Sequence, residues 1–148
     1  PSDVQAECFA SIKAWVAEAG VRNVLNPVPL DVRDSIWAVP DVDAIYCCNM
    51  IHVAPWSATV GLFAGAGRKL SVGSALILYG PYRFDGGFTA ESNRDFDRSL
   101  RSQNPEWGLK DVSDLGELAA GHRLRLAQCI ERPANNHMLI FRKYEAES

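Results

Sequence analysis

The sequence predicts an α/β domain: a doubly wound, mostly parallel sheet with one reversed edge strand. Three observations lead there. The runs at 42–50 and 74–79 are apolar almost without a break, as strands covered on both faces are. Residues 55–70 lie between them at helical spacing, which gives the strand, helix, strand order of a right-handed parallel unit. Two strand-like runs at 123–131 and 137–143 flank the turn-forming Pro133-Ala134-Asn135-Asn136, and so short a connection joins antiparallel strands only.

The elements follow in order. Val4, Cys8, Ile12, Trp15, Val16 and Ala19 recur at helical spacing, with Ser2 or Asp3 as cap and Gly20 as stop, so residues 4–19 read as an amphipathic helix. Residues 28–32 form a short apolar run between prolines that reads as a buried strand containing Asp31 near its end. Residues 81–89, with Asp85-Gly86-Gly87, read as a turn-rich lid or substrate loop before a polar helix at 92–102. A last helix is expected at 112–120.

Composition sets the function classes. At 148 residues, 47% apolar and 22% charged, residues 1–148 are expected to form a single globular domain. A net charge of -3 argues against a nucleic-acid surface, which needs a basic face to neutralise phosphates, and favours a small-molecule or protein substrate. No apolar run is long enough to span a membrane, and residues 1–7 carry no basic leader, so a cytoplasmic location is expected. Cys8, Cys47, Cys48 and Cys129 form no CxxC pair and read as buried, reduced core residues. His52, His122 and His137 lack metal-ligand spacing, so no metal site is expected.

In an open α/β sheet, ligands bind beyond the carboxyl ends of the strands, so polar residues at strand ends come first. Asp3, Asp31 and Asn49 hold such positions. Asp3 equally reads as a helix cap and Asp31 as the start of a turn; taken singly, those structural readings prevail. Asn49 interrupts an apolar run, and a buried amide there needs partners that a core rarely supplies, so it reads as a site residue. His52, three positions on, is a candidate base at neutral pH or a satisfied core histidine. Gly65-Ala66-Gly67 lies within a helical pattern and lacks the third glycine of a dinucleotide fingerprint, while Arg94, Arg98 and Arg101 share a helix face with Asp95 and Asp97 and read as solvated.

The segments PSDVQ, NPVPLDV, DAIYCCNMIHVAPW, GLFAGAGRKL, LILYGPYRFDGGFTAESNRDFDRSL, PEWGLKD and RPANNHMLIFRK together resemble the methyltransferase-like protein twenty-six family, across essentially the whole chain. The resemblance implies a Rossmann-like fold of the class I S-adenosylmethionine-dependent methyltransferases, with strand order 3-2-1-4-5-7-6 and the last strand antiparallel. It implies S-adenosylmethionine as cofactor, Asp3 on its ribose, Asp31 and Val32 beside its adenine, and Asn49, Met50, Ile51 and His52 at its methionine and methyl end. His52 or Tyr79 is then expected to take a proton from the methyl acceptor. Trp56, Tyr82, Asn93, Asn135 and Asn136 are expected at the substrate, with residues 84–93 covering it.

One departure matters. The family places a strand and a glycine-rich loop ahead of the PSD segment, whereas this sequence opens at Pro1. The expectation is that strand one and most of strand two lie outside the sequence, or that a second copy, as in a homodimer, completes the sheet. Gly73-Ser74 stands for an expected glycine pair, and His122 for a helix-ending glycine. The leading expectation is a methyltransferase acting on a small molecule or a protein. A non-catalytic scaffold of the same fold is the alternative, and a nicotinamide-type oxidoreductase a weaker one, disfavoured by the poor glycine fingerprint and the antiparallel final pair.

Overall fold

The computed structural model describes residues 1–145. The chain runs β1 (Ser2–Asp3), α1 (Cys8–Glu18), β2 (Val28–Pro29), β3 (Val42–Cys48), α2 (Trp56–Lys69), β4 (Leu70–Gly80), β5 (Arg83–Phe84), β6 (Gly87–Phe88), α3 (Glu91–Gln103), α4 (Val112–Ala120), β7 (Leu124–Arg132) and β8 (Asn136–Lys143), with a short 3-10 turn at Met50–Val53. Four strands form one sheet in the order β3-β4-β8-β7. β3 and β4 are parallel, while β8 runs against both neighbours. The reversed strand is therefore interior, as in the strand order that the resemblance implies, and not at the edge where the pattern alone put it; β7 takes that edge. The turn, with Ala134 and Asn135 in left-handed backbone (φ 60° and 57°), makes β8 antiparallel to β7, and it is the pairing of β8 with β4 that puts the reversed strand inside the sheet.

Strand alternation decides which face carries the core. Register places Ile45 beside Leu76 and Phe141, and Cys47 beside Leu78 and Leu139. Leu76, Leu78, Leu139 and Phe141 are fully buried beneath Leu62, Phe63 and Ala66 of α2 and Leu115 and Ala119 of α4. Each such aliphatic or aromatic side chain contributes about 1.5–3 kcal/mol when removed from water, so this layer fixes the carboxyl ends of β3 and β4 firmly. On the opposite face, Tyr46 is exposed.

Two glycines of α2 bring a loop against the helix. A Cβ on Gly61 would lie 2.4 Å from the Val32 carbonyl oxygen, and one on Gly65 would lie 2.0 Å from the Trp37 indole. The segment after β2 thus lies directly on α2, with Trp37 buried. This accounts for Gly65 in the pattern that partly matched a dinucleotide fingerprint.

Four details differ from the sequence reading. The first helix opens at Cys8, because the Asp3 carboxylate accepts the Gln5 N–H and turns residues 3–5 before the helix can start. β2 is two residues long, as Pro27 and Pro29 remove ladder donors. Residues 83–88 form a two-stranded hairpin rather than an open loop, since Asp85 and Gly86 (φ 49° and 81°) supply the left-handed pair a tight turn needs. Cys48 and Cys129 are exposed, and Cys8 and Cys47 only half-buried, because the face bearing Cys48 is uncovered and β7 is an edge strand. Among the described residues no helix is long and apolar enough to cross a membrane.

Candidate active site

β1 and β2 form a separate parallel pair. Between that pair and β3 lies a cavity of about 640 Å³, within the range of cofactor sites. Asp3, Asp31, Val32, Asn49 and Met50 all line it, with Trp37, Ala58 and Leu62 among the apolar wall residues. Three separate strand ends therefore deliver polar groups to one space.

Each polar group is held differently. Asp3 accepts one local hydrogen bond, from Gln5 N–H at 2.8 Å. Asp31 accepts from the Arg33 backbone at 2.9 Å and from its guanidinium at 2.6–3.1 Å. Those bonds hold the Asp31 carboxyl below its ordinary pKa. Asn49 sits in left-handed backbone (φ 57°, ψ -15°), a conformation asparagine tolerates better than most residues. Its N–H donates to the Tyr79 carbonyl at 2.9 Å and its own carbonyl accepts the His52 N–H at 3.0 Å. Asn49 thus ends β3 and starts the turn that places His52. The side chain is exposed, not buried as the sequence implied, because the left-handed backbone turns it out of the strand plane.

Ile51 and His52 do not line the cavity; both point into the protein, 1% and 0% exposed. His52 Nδ1 accepts the Lys110 N–H at 3.4 Å, which leaves the imidazole proton on Nε2. Burial, then the Lys110 cation, push its pKa down to about 4. It is neutral at physiological pH, and its free lone pair is engaged. Among the described residues Nε2 has no hydrogen-bond partner. The ring packs edge-on against Tyr82, centroids 5.0 Å apart. His52 and Tyr79 were expected as alternative bases at one place, yet Tyr79 pairs with Cys48 and Met138 on the sheet face opposite Leu78 and the core.

The expected substrate residues are occupied elsewhere. Tyr82 is fully buried, and burial pushes its phenol well above the ordinary pKa. Buried Asn93 donates to Thr89 Oγ1 and to the Asn135 carbonyl, both at 3.1 Å, and the Asn135 amide donates to Ser92 Oγ at 3.2 Å. The Asn136 amide donates to the Pro133 carbonyl at 3.1 Å. These asparagines fasten the start of α3 to the β7–β8 turn. Trp56 is exposed on α2 and outside the cavity lining.

Asp97 was read as part of a solvated helix face and Asp111 went unremarked, yet both are buried and each ties two segments together. Asp97 accepts the Leu109 N–H at 2.7 Å and Arg101 Nε at 2.8 Å, anchoring the segment that covers His52. Asp111 caps α4 through Ser113 and accepts the Gly86 N–H at 2.7 Å and the Asp85 N–H at 3.2 Å, so one side chain ties helix to hairpin. Only the cap spacing of Asp111 was visible beforehand.

The family described as protein of unknown function DUF938 matches residues 1–143. The chain belongs to the DUF938 family. Its fold is shared by an O-methyltransferase family 2 protein from Planctomyces limnophilus DSM 3776 solved with apigenin, at TM-score 0.81 and 20% identity over 94% of the DUF938 chain and 42% of that one. The mitomycin 7-O-methyltransferase MmcR follows at TM-score 0.77 and 15% identity, over 94% and 40%. LepI, solved in complex with S-adenosylmethionine, matches at TM-score 0.73 and 13% identity, over 96% and 35%. The DUF938 chain thus spans about two fifths or less of the length of each. At such identities the likeness shows the fold, the α/β fold of S-adenosylmethionine-dependent methyltransferases, and no more.

Proposed function

We propose that the cavity between β1 and β3 holds the adenosyl group of S-adenosylmethionine, and that the protein methylates a small molecule or a protein. The observation that carries this is convergence: Asp3, Asp31, Val32, Asn49 and Met50, from three strand ends, share one cavity of suitable size. The names of the O-methyltransferases with the same fold, and the cofactor in the LepI structure, support the reading.

The side chains suit such a ligand. Asp3 spends one acceptor site on Gln5, so its carboxylate keeps capacity for the paired hydroxyls of a ribose. Trp37 and Leu62 give a purine an apolar surface. Asp31, already bound by Arg33, stiffens the rim on which Val32 stands. Asn49 and Met50 border the methionine end. When bound, the cofactor supplies an electrophilic methyl group on a sulfonium; the protein orients the two reactants and excludes water.

The fuller seven-strand order, and kinship with the methyltransferase-like protein twenty-six family, belong to the same proposal. β1 and β3 flank the cavity in separate sheets.

Calorimetry with S-adenosylhomocysteine is the test. Binding weakened about tenfold by Asp3→Asn, the loss of one charge-assisted hydrogen bond, is the expected result. Saturable heat with NAD but none with S-adenosylhomocysteine would favour the oxidoreductase reading instead. Binding without transfer of labelled methyl into a cell extract would favour the scaffold.

A further inference from the structure

The cavity lies at the carboxyl end of β3; the opposite end of the sheet gathers cations. Arg68 and Lys69 close α2 there, Arg123 precedes β7 and Arg125 lies at its start, and Arg142 and Lys143 finish β8. Asp41 answers Lys69 at 3.6 Å, and buried Lys143 donates to the Gly67 carbonyl near the end of α2. Arg68, Arg123, Arg125 and Arg142 are exposed, and none of them forms an ion pair among the described residues. Register sets Arg125 directly opposite Arg142, where like charges repel. The crowding extends to their neighbours: burial, then the charges of Arg68 and Lys143, pushes the His122 pKa down, and burial, then Arg123, does the same to Lys143. A chain of net charge -3 thus keeps a repulsive positive surface that an anionic partner would relieve.

β7 shows what kind of partner fits. It pairs with β8 on one side and with no described strand on the other, so its outer backbone N–H and C=O groups are open. The irregular register between Leu126 and Gln128, and Glu131 beyond it, confine the basic stretch to residues 123–126. We propose that an acidic, extended segment of a partner protein adds to the edge of β7 at residues 123–126, its alternate carboxylates meeting Arg125 and Arg142. Only a polypeptide can use the open backbone groups in register. A nucleic-acid duplex or an anionic membrane would also set its extended field against a chain that is acidic as a whole. Because this surface and the cavity occupy opposite strand ends, the inference stands apart from the methyltransferase reading.

The test is an amide-resolved nuclear magnetic resonance titration of the chain with a hexapeptide of alternating glutamate and valine. Shifts are expected at residues 123–126, with slowed hydrogen exchange in that stretch at saturation and silence at residues 128–132. Arg125→Gln should weaken binding about threefold to fivefold and yet raise the urea midpoint, because it removes the like-charged pair. Arg125→Lys should keep most of the affinity. An unshifted stretch, shifts without slowed exchange, equal binding of a peptide with lysine in place of glutamate, or a lower midpoint in Arg125→Gln overturns the proposal. Tighter binding of a short DNA duplex or of phosphatidylserine vesicles at the same residues also overturns it, and assigns the surface to phosphate.

Discussion

Replacing Gly65 by alanine sets two known effects against each other. Alanine in a helix interior is better than glycine by about 0.8–1 kcal/mol, so a surface site would gain stability. At Gly65 the new methyl would lie 2.0 Å from the Trp37 indole, well inside contact distance, so the ring must move by about 1.5 Å. That displacement breaks the Trp37 Nε1–H bond to the Val32 carbonyl, 3.2 Å long and worth about 1 kcal/mol, and adds an overpacking cost of about 1–3 kcal/mol. The opposing terms leave a net destabilisation of about 1–3 kcal/mol. The cavity should suffer too, because Trp37 and Val32 both line it. Urea unfolding should show a lower midpoint at unchanged slope, and the emission of Trp37, buried where Trp15 and Trp56 are exposed, should move to longer wavelength. Affinity for S-adenosylhomocysteine should fall about tenfold. A variant about 1 kcal/mol more stable, with unaltered emission and binding, would refute the claim that this helix glycine shapes the cavity wall.

Asp111→Ala should cost about 2–3 kcal/mol, since it removes an N-cap worth about 0.5–2 kcal/mol and the acceptor for two hairpin N–H groups; urea unfolding and faster hydrogen exchange at Asp85 and Gly86 check it. The same residue sets an acid limb. Burial would raise its pKa, but hydrogen bonds from Gly86, Ser113 and Asp85 prevail and hold it below the ordinary value. A depressed carboxylate contributes stability above its unfolded pKa of about 3.9, and loses it as pH falls through the folded value. Native stability should therefore decline on acidification below about pH 4 more steeply than that of Asp111→Asn, as read by unfolding midpoints across pH.

Much of the fold was legible because hydrophobic period and turn chemistry agreed. The continuous runs of β3 and β4, the helix at Val112–Ala120 and the Pro133–Asn136 turn each satisfied both signals. Failures came where a local hydrogen bond or a distant partner decided. Asp3 delays α1 through one bond to Gln5, which spacing does not reveal. The reversed strand's interior place depends on pairing with β4, sixty residues away in the chain and invisible to periodicity. At the site, strand-end position found the cavity-lining Asp3, Asp31 and Asn49, whereas the pairing of the Asn93 and Asn135 segments through their amides leaves no spacing signal. His52 was singled out for basicity, and only its Lys110 partner shows that the ring presents a donor.

The central claim is spatial, and amide-resolved nuclear magnetic resonance during an S-adenosylhomocysteine titration tests it most directly. Shifts concentrated at Asp3, Asp31, Val32, Asn49 and Met50 are predicted. Binding with those residues silent, and with shifts instead at Lys13, Val21 and Leu25 around the second cavity beside α1, would contradict it.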